Sequence, residues 1–347
     1  MPLETIIAGV MVASLVLYAL LGGADYGGGV WDLFAFGRRA REQRALIADA
    51  IGPVWEANHV WLILVIVILF TAFPPAFAVI ATALHIPITL LLIGIVLRGT
   101  AFTFRSYDVQ RDDVQRRWSL VFSIASIITP ILLGVILGAI ASGTIRVENS
   151  AVTSGFLNSW LAPFPFAVGF FALALFAFLA AVYLTVEAEQ RATQSQDQNQ
   201  NVVSNGPRKL SEDFRLRALL AGVAVGLLAL TVFILAGTGA PSVRAGISRT
   251  WWALGLHLLT AIFAIGAFAT LWTRRYKAAR ICAAGQVTLI LLGWAFAQYP
   301  NLVEPDLSLT SAAAPPITLE LLLAALIAGA LLLFPSYYYL IRVFKAE

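Results

Sequence analysis

A short polar cluster stands out in an otherwise apolar part of the chain because its residue types can exchange protons. Residues 55–61 read WEANHVW, and an apolar run follows them as far as Phe70. A carboxylate such as Glu56 costs about 2.5–3.5 kcal/mol inside a membrane, so its presence there indicates a purpose. Asp25 and Arg98 are further ionisable residues within apolar stretches. Since titratable carboxyls inside membranes commonly relay protons, we predict a proton path that includes Glu56, Asp25 and Arg98.

The composition indicates what kind of protein must position these groups. Of the 347 residues 60% are hydrophobic and only 12% are charged, with a mean hydropathy of +0.84. A soluble domain carries about 25% charged residues. Apolar runs of about 20 residues recur throughout, as in polytopic helical membrane proteins. The net charge of +4 does not indicate nucleic-acid binding, because the basic residues lie in short loops between the runs.

The apolar runs predict an all-α membrane protein of about nine transmembrane helices packed as helix bundles, with 1–347 as a single membrane domain. The predicted spans are 5–31, 49–70, 77–102, 118–141, 162–185, 214–236, 250–272, 278–298 and 318–341. Residues 188–213, between the fifth and sixth spans, are polar and low in complexity, so we expect a mobile cytoplasmic loop there.

The loops also predict an orientation. With nine spans and the N-terminus outside, nearly all the basic loop residues fall on one side, and only Arg146, Arg244 and Arg249 fall on the other. Positively charged loops favour the cytoplasm. We therefore expect an external N-terminus and a cytoplasmic C-terminus. At about 1.5 Å per helical residue, Asp25, Glu56 and Arg98 then lie in the cytoplasmic half of the membrane.

Other residues of the cluster are assigned supporting roles: Trp55, Asn58, His59 and Trp61. Asn58 can satisfy a carboxylate or a backbone group of another helix, whereas the tryptophans are typical packing or interfacial residues. The glycines of residues 22–29 predict a surface of small residues on which a neighbouring helix packs closely.

Three alternatives remain open from these residues alone. The carboxylates and Arg98 can form a buried ion pair that only fixes helix packing. Asp25 and Glu56 can serve ion coupling in a secondary transporter. The histidines His59, His85 and His257 can ligate haem in a membrane cytochrome, although each can instead be satisfied by a hydroxyl or a backbone group.

Three segments carry a family resemblance: GADYGGG at 23–29, IGPVWEANHVWLI at 51–63, and Leu97-Arg98. The sequence resembles subunit II of the cytochrome bd quinol oxidases, and the second segment is the most specific of the three. The chain departs from some relatives in lacking one acidic residue before the first glycines, and in having His59.

The resemblance implies a subunit of a bacterial terminal respiratory oxidase of the inner (plasma) membrane, an enzyme that oxidises quinol and reduces dioxygen to water. It implies a haem-bearing partner, subunit I, which holds haems b and d and the quinol site, while this chain binds no metal. It further implies an acid at the position of Glu56 in a cytoplasmic proton path, with Asp25 and Arg98 as neighbours. A small third subunit, and a quinone or lipid bound structurally by this chain, stay open.

Overall fold

The computed structural model describes residues 2–52, 55–107, 112–149, 151–198 and 206–345. Side chains within these ranges are not described at 55–57, 105–107, 112–116, 195–198, 206–209, 334, 337–338 and 340–345. The described residues form twelve helices and two short hairpins. In chain order they are α1 (Leu3–Leu33), α2 (Ala40–Ile51), α3 (Trp55–Ala72), α4 (Pro74–Ala83), α5 (His85–Tyr107), α6 (Asp112–Ala141), β1 (Val147–Glu148), β2 (Ala151–Val152), α7 (Pro163–Gln198), α8 (Gly206–Gly239), α9 (Pro241–Arg249), α10 (Ala253–Trp272), α11 (Tyr276–Gln298), β3 (Asn301–Val303), β4 (Leu307–Ser308) and α12 (Pro316–Lys345).

The helices confirm the prediction of an all-α polytopic membrane protein. Among the described residues, eight helices are long and apolar enough to cross a membrane. A ninth candidate is the pair formed by α3 and α4, which bends by 117° at Phe73. Pro74 and Pro75 follow the bend, where they lack the N–H groups that would continue α3.

Two of the predicted spans, both in the N-terminal third of the chain, have the wrong boundaries. The predicted span 49–70 combines the end of α2 with α3. In the structure α2 is a separate amphipathic helix, and it buries Gln43, Leu46, Ile47 and Ile51. The predicted span 77–102 is likewise divided, since Leu84 leaves the helical conformation between α4 and α5.

The segment predicted as a polar loop, 188–213, is instead helical wherever the structure describes it. Helix α7 continues to Gln198 and α8 begins at Gly206, while residues 199–205 lie outside the described residues. Polar residues can continue a helix beyond the apolar span when they form ion pairs. Here Arg215 Nε lies 2.8 Å from Glu212 Oε2, one turn earlier. The mobility of this segment stays a prediction.

The bundle has two chemically distinct ends. The basic end comprises α2, the last turns of α7 and the first turns of α8, which are joined by ion pairs such as Arg191 to Asp49. The hairpin end comprises α4, α9 and the two antiparallel hairpins β1–β2 and β3–β4. Between the ends, α7 is the most deeply buried of the spanning helices. It packs along α1, α6, α8 and α11.

Candidate functional site

The glycine-rich half of α1 lets three other helices approach its backbone. A Cβ atom added at Gly27 would lie 2.0 Å from the carbonyl oxygen of Phe176 on α7. One added at Gly29 would lie 2.1 Å from Ser126 Oγ on α6. At Gly28 the neighbour is the side chain of Ile51 on α2, at 2.5 Å. The predicted close-packing surface is therefore present, and it brings Asp25 into the centre of the bundle.

Asp25 and Arg98 form an ion pair in this centre. Arg98 Nη2 on α5 lies 2.5 Å from Asp25 Oδ1 and also donates to the Asp25 carbonyl at 3.3 Å. The two side chains are only 1% and 3% exposed. Arg98 Nε donates to Ser126 Oγ at 3.1 Å, and Ser126 in turn donates to the carbonyl of Phe122. Pairing and hydrogen bonding together offset the desolvation of both charges.

Two aromatic rings hold the guanidinium of Arg98 between them. Its Cζ atom lies 4.6 Å from the ring centre of Tyr26 and 5.0 Å from that of Phe122. Such cation–π contacts are strongest where water is excluded. Tyr26 is itself held by Tyr18, whose hydroxyl donates to the Tyr26 hydroxyl at 3.2 Å, and by the parallel ring of Phe176.

The first turns of α3 pack against the same part of α1. Asn58 Nδ2 donates to the Leu21 carbonyl at 3.4 Å, one turn before Asp25. The imidazole of His59 lies 6.2 Å from the ring centres of both Tyr18 and Tyr26. Two of the four predicted supporting residues, Asn58 and His59, thus lie beside the part of α1 that holds Asp25.

Trp61, one further residue of the predicted cluster, is buried in the hydrophobic core shared by α1, α7, α8 and α11. Its position agrees with a packing role. For Trp55 and Glu56 the structure describes the backbone, which lies in the first turn of α3, and not the side chains.

Two buried oxygen atoms near the ion pair have no hydrogen-bond partner among the described residues. They are Asp25 Oδ2 and Asn58 Oδ1. An unpaired buried acceptor costs about 1–3 kcal/mol, and more when it is charged. The carboxylate oxygen of Asp25 can bind a proton or accept a hydrogen bond from a water molecule, whereas the amide oxygen of Asn58 can only accept a hydrogen bond.

A second arginine–aspartate pair lies at the basic end. Arg39 Nη2 is 2.5 Å from Asp213 Oδ1, and Gln43 Nε2 donates to Asp213 Oδ2 at 2.9 Å. Arg217 joins this group by donating to Gln43 Oε1 and to the carbonyl of Phe34. The hydrogen bond to Asp213 raises the pKa of Arg39 above its already high ordinary value, so Arg39 stays charged at every physiological pH.

The two other histidines of the haem alternative, His85 and His257, lie apart from this centre. His85 Nδ1 is 2.9 Å from the carbonyl of Thr82, and His257 Nδ1 is 2.6 Å from that of Ala253. Both are therefore bonded to backbone groups of their own segment. Within the ranges that the structure describes, no three His, Cys, Asp or Glu side chains are grouped so that they could hold a metal ion.

Sequence reasoning did not identify four residues that surround the ion pair: Tyr18, Tyr26, Phe122 and Ser126. The spacing of eight residues between the tyrosines places them on one face of α1, and Asp25 adjoins the second. That signal was available in the sequence. The α6 residues Phe122 and Ser126 carried no such signal, because the rotation of α6 about its own axis decides which of its residues face Arg98.

Comparison with known proteins gives a consistent result. The family described as cytochrome bd terminal oxidase subunit II matches residues 3–344 of the chain. A Bacillus subtilis (strain 168) protein, provisionally named cytochrome bd menaquinol oxidase subunit II, is 21% identical over 95% of this chain and 92% of its own length. Cytochrome bd ubiquinol oxidase subunit 2 of the same organism is 35% identical over 39% of each chain. A chain of the bd oxidase structure from Geobacillus thermodenitrificans has a similar fold, with a TM-score of 0.77 at 22% identity and 99% of both chains covered.

Proposed function

The chain belongs to the cytochrome bd terminal oxidase subunit II family, and we propose that it supports the haem-bearing subunit and delivers protons to it from the cytoplasm. As a member of this family it is part of a quinol oxidase complex of the bacterial inner membrane, which it crosses several times. The haems of that complex are carried by another subunit. The contribution of this chain must therefore come from its own side chains.

The buried pair of Asp25 and Arg98 is the observation that supports a proton path. An ion pair with no contact to water is a poor way to stabilise a membrane bundle, since apolar residues of similar volume often serve as well or better. A carboxyl group that is retained inside a membrane is more readily explained by a proton relay. The oxygen Asp25 Oδ2, which has no partner within the described part of the chain, is available to accept a proton.

Glu56 is the second acid of the proposed path. Its backbone lies in the first turn of α3. Two residues that follow it closely, Asn58 and His59, contact α1 near Leu21 and Tyr26. This turn of α3 is therefore next to the part of α1 that holds Asp25. We propose that Glu56 and Asp25 belong to one path, in which Arg98 keeps Asp25 in place.

The direction of the path follows from the charge of the two ends. Arg39, Arg44, Arg191 and Arg217 lie at the basic end. Because basic segments favour the cytoplasmic side, we propose that the basic end faces the cytoplasm. Protons would then enter the bundle from that end and leave it toward the haem-bearing subunit.

A charge-neutral substitution in the whole oxidase tests this function. We expect Glu56→Gln to lower quinol oxidase turnover while the haem content of the purified complex stays unchanged. The matched control is Glu320→Gln, which removes an exposed acid in an early turn of α12. It should leave turnover unchanged. Full turnover in the Glu56→Gln oxidase would remove the proton role of this residue.

A further inference from the structure

Helix α1 contains a second buried acid that the proposed path does not use. Asp32 is 2% exposed although it lies in the last turn of α1, which ends at Leu33. Asp25 and Asp32 are seven residues apart, which corresponds to two helical turns on the same face and a rise of about 10 Å. Both acids therefore lie on one face of α1, and a neighbouring helix packs on this face at Gly29.

That neighbouring helix is α6. It places one hydroxyl group beside Asp32 and another beside Arg98, the partner of Asp25. Ser123 Oγ donates to Asp32 Oδ2 at 3.3 Å. Ser126 Oγ accepts from Arg98, the partner of Asp25, at 3.1 Å. Both serines are at most 1% exposed. At a spacing of three residues they occupy one face of α6, with their Cβ atoms about 5–6 Å apart.

Gly29 lies on α1 between the two acids, and its lack of a side chain keeps this face polar. A Cβ atom at this position would collide with Ser126 Oγ at 2.1 Å. The hydroxyl of Ser126 therefore occupies the space in which a side chain of α1 would otherwise stand. Two hydrogen-bonded groups thus lie between α1, α5 and α6, one turn of α6 apart: Asp32 with Ser123, and Ser126 with Arg98 and Asp25. Together we term them the α1–α6 polar seam.

The seam begins close to the polar surface of the basic end. Two residues beyond Asp32, the carbonyl of Phe34 accepts a hydrogen bond from Arg217, and the carbonyl of Ala35 accepts one from Arg44. The chain thus passes within a few residues from the buried carboxyl of Asp32 to charged groups that water reaches. Asp32 is the acid of the seam nearest to this end.

We propose that Asp32 receives protons from the basic end and passes them along the α1–α6 polar seam to Asp25. The inference rests on the proton path proposed above and adds its first acid. A proton taken up by the Asp32 carboxylate would pass to Ser123 Oγ as that hydroxyl releases its own proton to a water molecule that bridges to Ser126. The hydroxyl of Ser126, once it turns away from the Phe122 carbonyl, would in the same way pass its proton through a further water molecule to Asp25 Oδ2, the carboxylate oxygen that Arg98 does not contact. Arg98 stays protonated and relays nothing, because a guanidinium has no acceptor. One water molecule can bridge hydroxyls one helical turn apart, because each bridge needs only two polar partners within hydrogen-bond reach.

The test uses the complete oxidase with Asp32→Asn, which keeps the size of the side chain and an acceptor for Ser123. The matched control is Asp49→Asn, which removes an acid of α2 that is 64% exposed and pairs with Arg191. We expect Asp32→Asn to lower turnover on the order of tenfold at saturating quinol, with unchanged haem content. Turnover should also fall more steeply as the pH rises, since proton supply then limits the reaction. Asp32→Glu should restore both the rate and the pH profile, whereas Asp49→Asn should alter neither.

The outcomes separate this inference from the function on which it rests. If Asp32→Asn keeps the wild-type rate and pH profile while Glu56→Gln is slow, Asp32 is not part of the path and the proposed function stands. If both variants turn over at full rate, the proton path itself is wrong. If the Asp32→Asn complex does not assemble, Ser123→Ala decides, because it interrupts the seam and leaves Asp32 in place. An unchanged rate and pH profile in Ser123→Ala would then overturn the inference.

Discussion

Two arginine–aspartate pairs of this protein have the same short separation and opposite surroundings. In each, an Nη2 atom lies 2.5 Å from a carboxylate oxygen. The side chains of Arg98 and Asp25 are 1% and 3% exposed, whereas those of Arg39 and Asp213 are 37% and 22% exposed. The more exposed pair loses less hydration when it forms, and a charge left alone there by the loss of its partner can still be reached by water. The buried pair carries a large desolvation cost, so removal of one partner has severe consequences. Distance alone therefore does not distinguish a pair that is costly to break from one that is not.

The largest contrast between the pairs should come from the loss of an arginine. We expect Arg98→Met to leave the Asp25 carboxylate buried without a counter-ion and to destabilise the subunit by about 3–5 kcal/mol. The oxidase complex should then accumulate poorly, as measured by haem content per membrane protein and by its thermal midpoint. The same change at the exposed pair, Arg39→Met, should leave both values close to wild type.

The cause of that loss can be isolated with a double variant. In an Arg98→Met background, Asp25→Asn removes the uncompensated charge and should recover part of the assembly. If Arg98→Met and Arg39→Met reduced assembly equally, the contrast between the two environments would be wrong.

The buried pair further depends on close helix packing that the exposed pair does not need. Gly27→Ala would place a methyl group 2.0 Å from the Phe176 carbonyl oxygen, which belongs to the backbone and cannot rotate away. We expect a destabilisation of about 1–3 kcal/mol, seen as a lower thermal midpoint. The matched control is Gly9→Ala near the other end of α1, where a Cβ atom would meet nothing within 4 Å. Because alanine is the better helix former, Gly9→Ala should be neutral or slightly stabilising. A loss of stability in Gly9→Ala as large as that in Gly27→Ala would show that the close approach of Phe176 to Gly27 is not the cause.

The aromatic contact of Arg98 should have a smaller effect. Tyr26→Leu removes the ring that lies 4.6 Å from the guanidinium, and we expect a loss of about 0.5–2 kcal/mol. Tyr26→Phe keeps the ring and removes only the hydroxyl that accepts from Tyr18, so it should lose less. Thermal midpoints of the two purified oxidases make the comparison, and a larger loss in Tyr26→Phe would assign the contribution to the hydroxyl.

The smallest effect is expected at the exposed pair. Arg39→Gln should change stability by about 0–1 kcal/mol, and the difference from wild type should vanish in high salt because exposed charges are screened. Thermal midpoints at low and high ionic strength measure this. A difference that persisted in high salt would mean that the pair behaves as a buried one.

The sequence predicted the membrane class and most of the spans, because stretches of about 20 apolar residues have few other structures available to them. It did not predict that α2 and α4 are separate helices. The last residues of α2 and most of α4 are apolar enough to be read as parts of spans, and α4 is set apart from its neighbours only by the non-helical residues Phe73 and Leu84. Nor did it predict that α7 and α8 extend as helices beyond the apolar region, since this depends on ion pairs with distant residues such as Arg39.

At the candidate site the sequence identified the charged residues and the close packing of the glycines. Asp25 and Arg98 are conspicuous in apolar surroundings, and the structure brings them together. The residues that complete the centre were less accessible, because serine and phenylalanine on a membrane helix have many ordinary roles. Ser123 and Ser126 acquire significance only through the rotation of α6 that directs them toward α1, and Asp32 only through its burial at the end of a span.

We propose that Glu56 and Asp25 of this subunit carry protons to its haem-bearing partner. The most direct measurement is proton uptake from the cytoplasmic side during a single turnover of the reduced oxidase with dioxygen, followed with a pH-sensitive dye in oriented vesicles. The account predicts that Glu56→Gln slows this uptake while haem content and the rate of quinol oxidation by the partner's first haem are preserved. Proton uptake at the wild-type rate in that variant would contradict it.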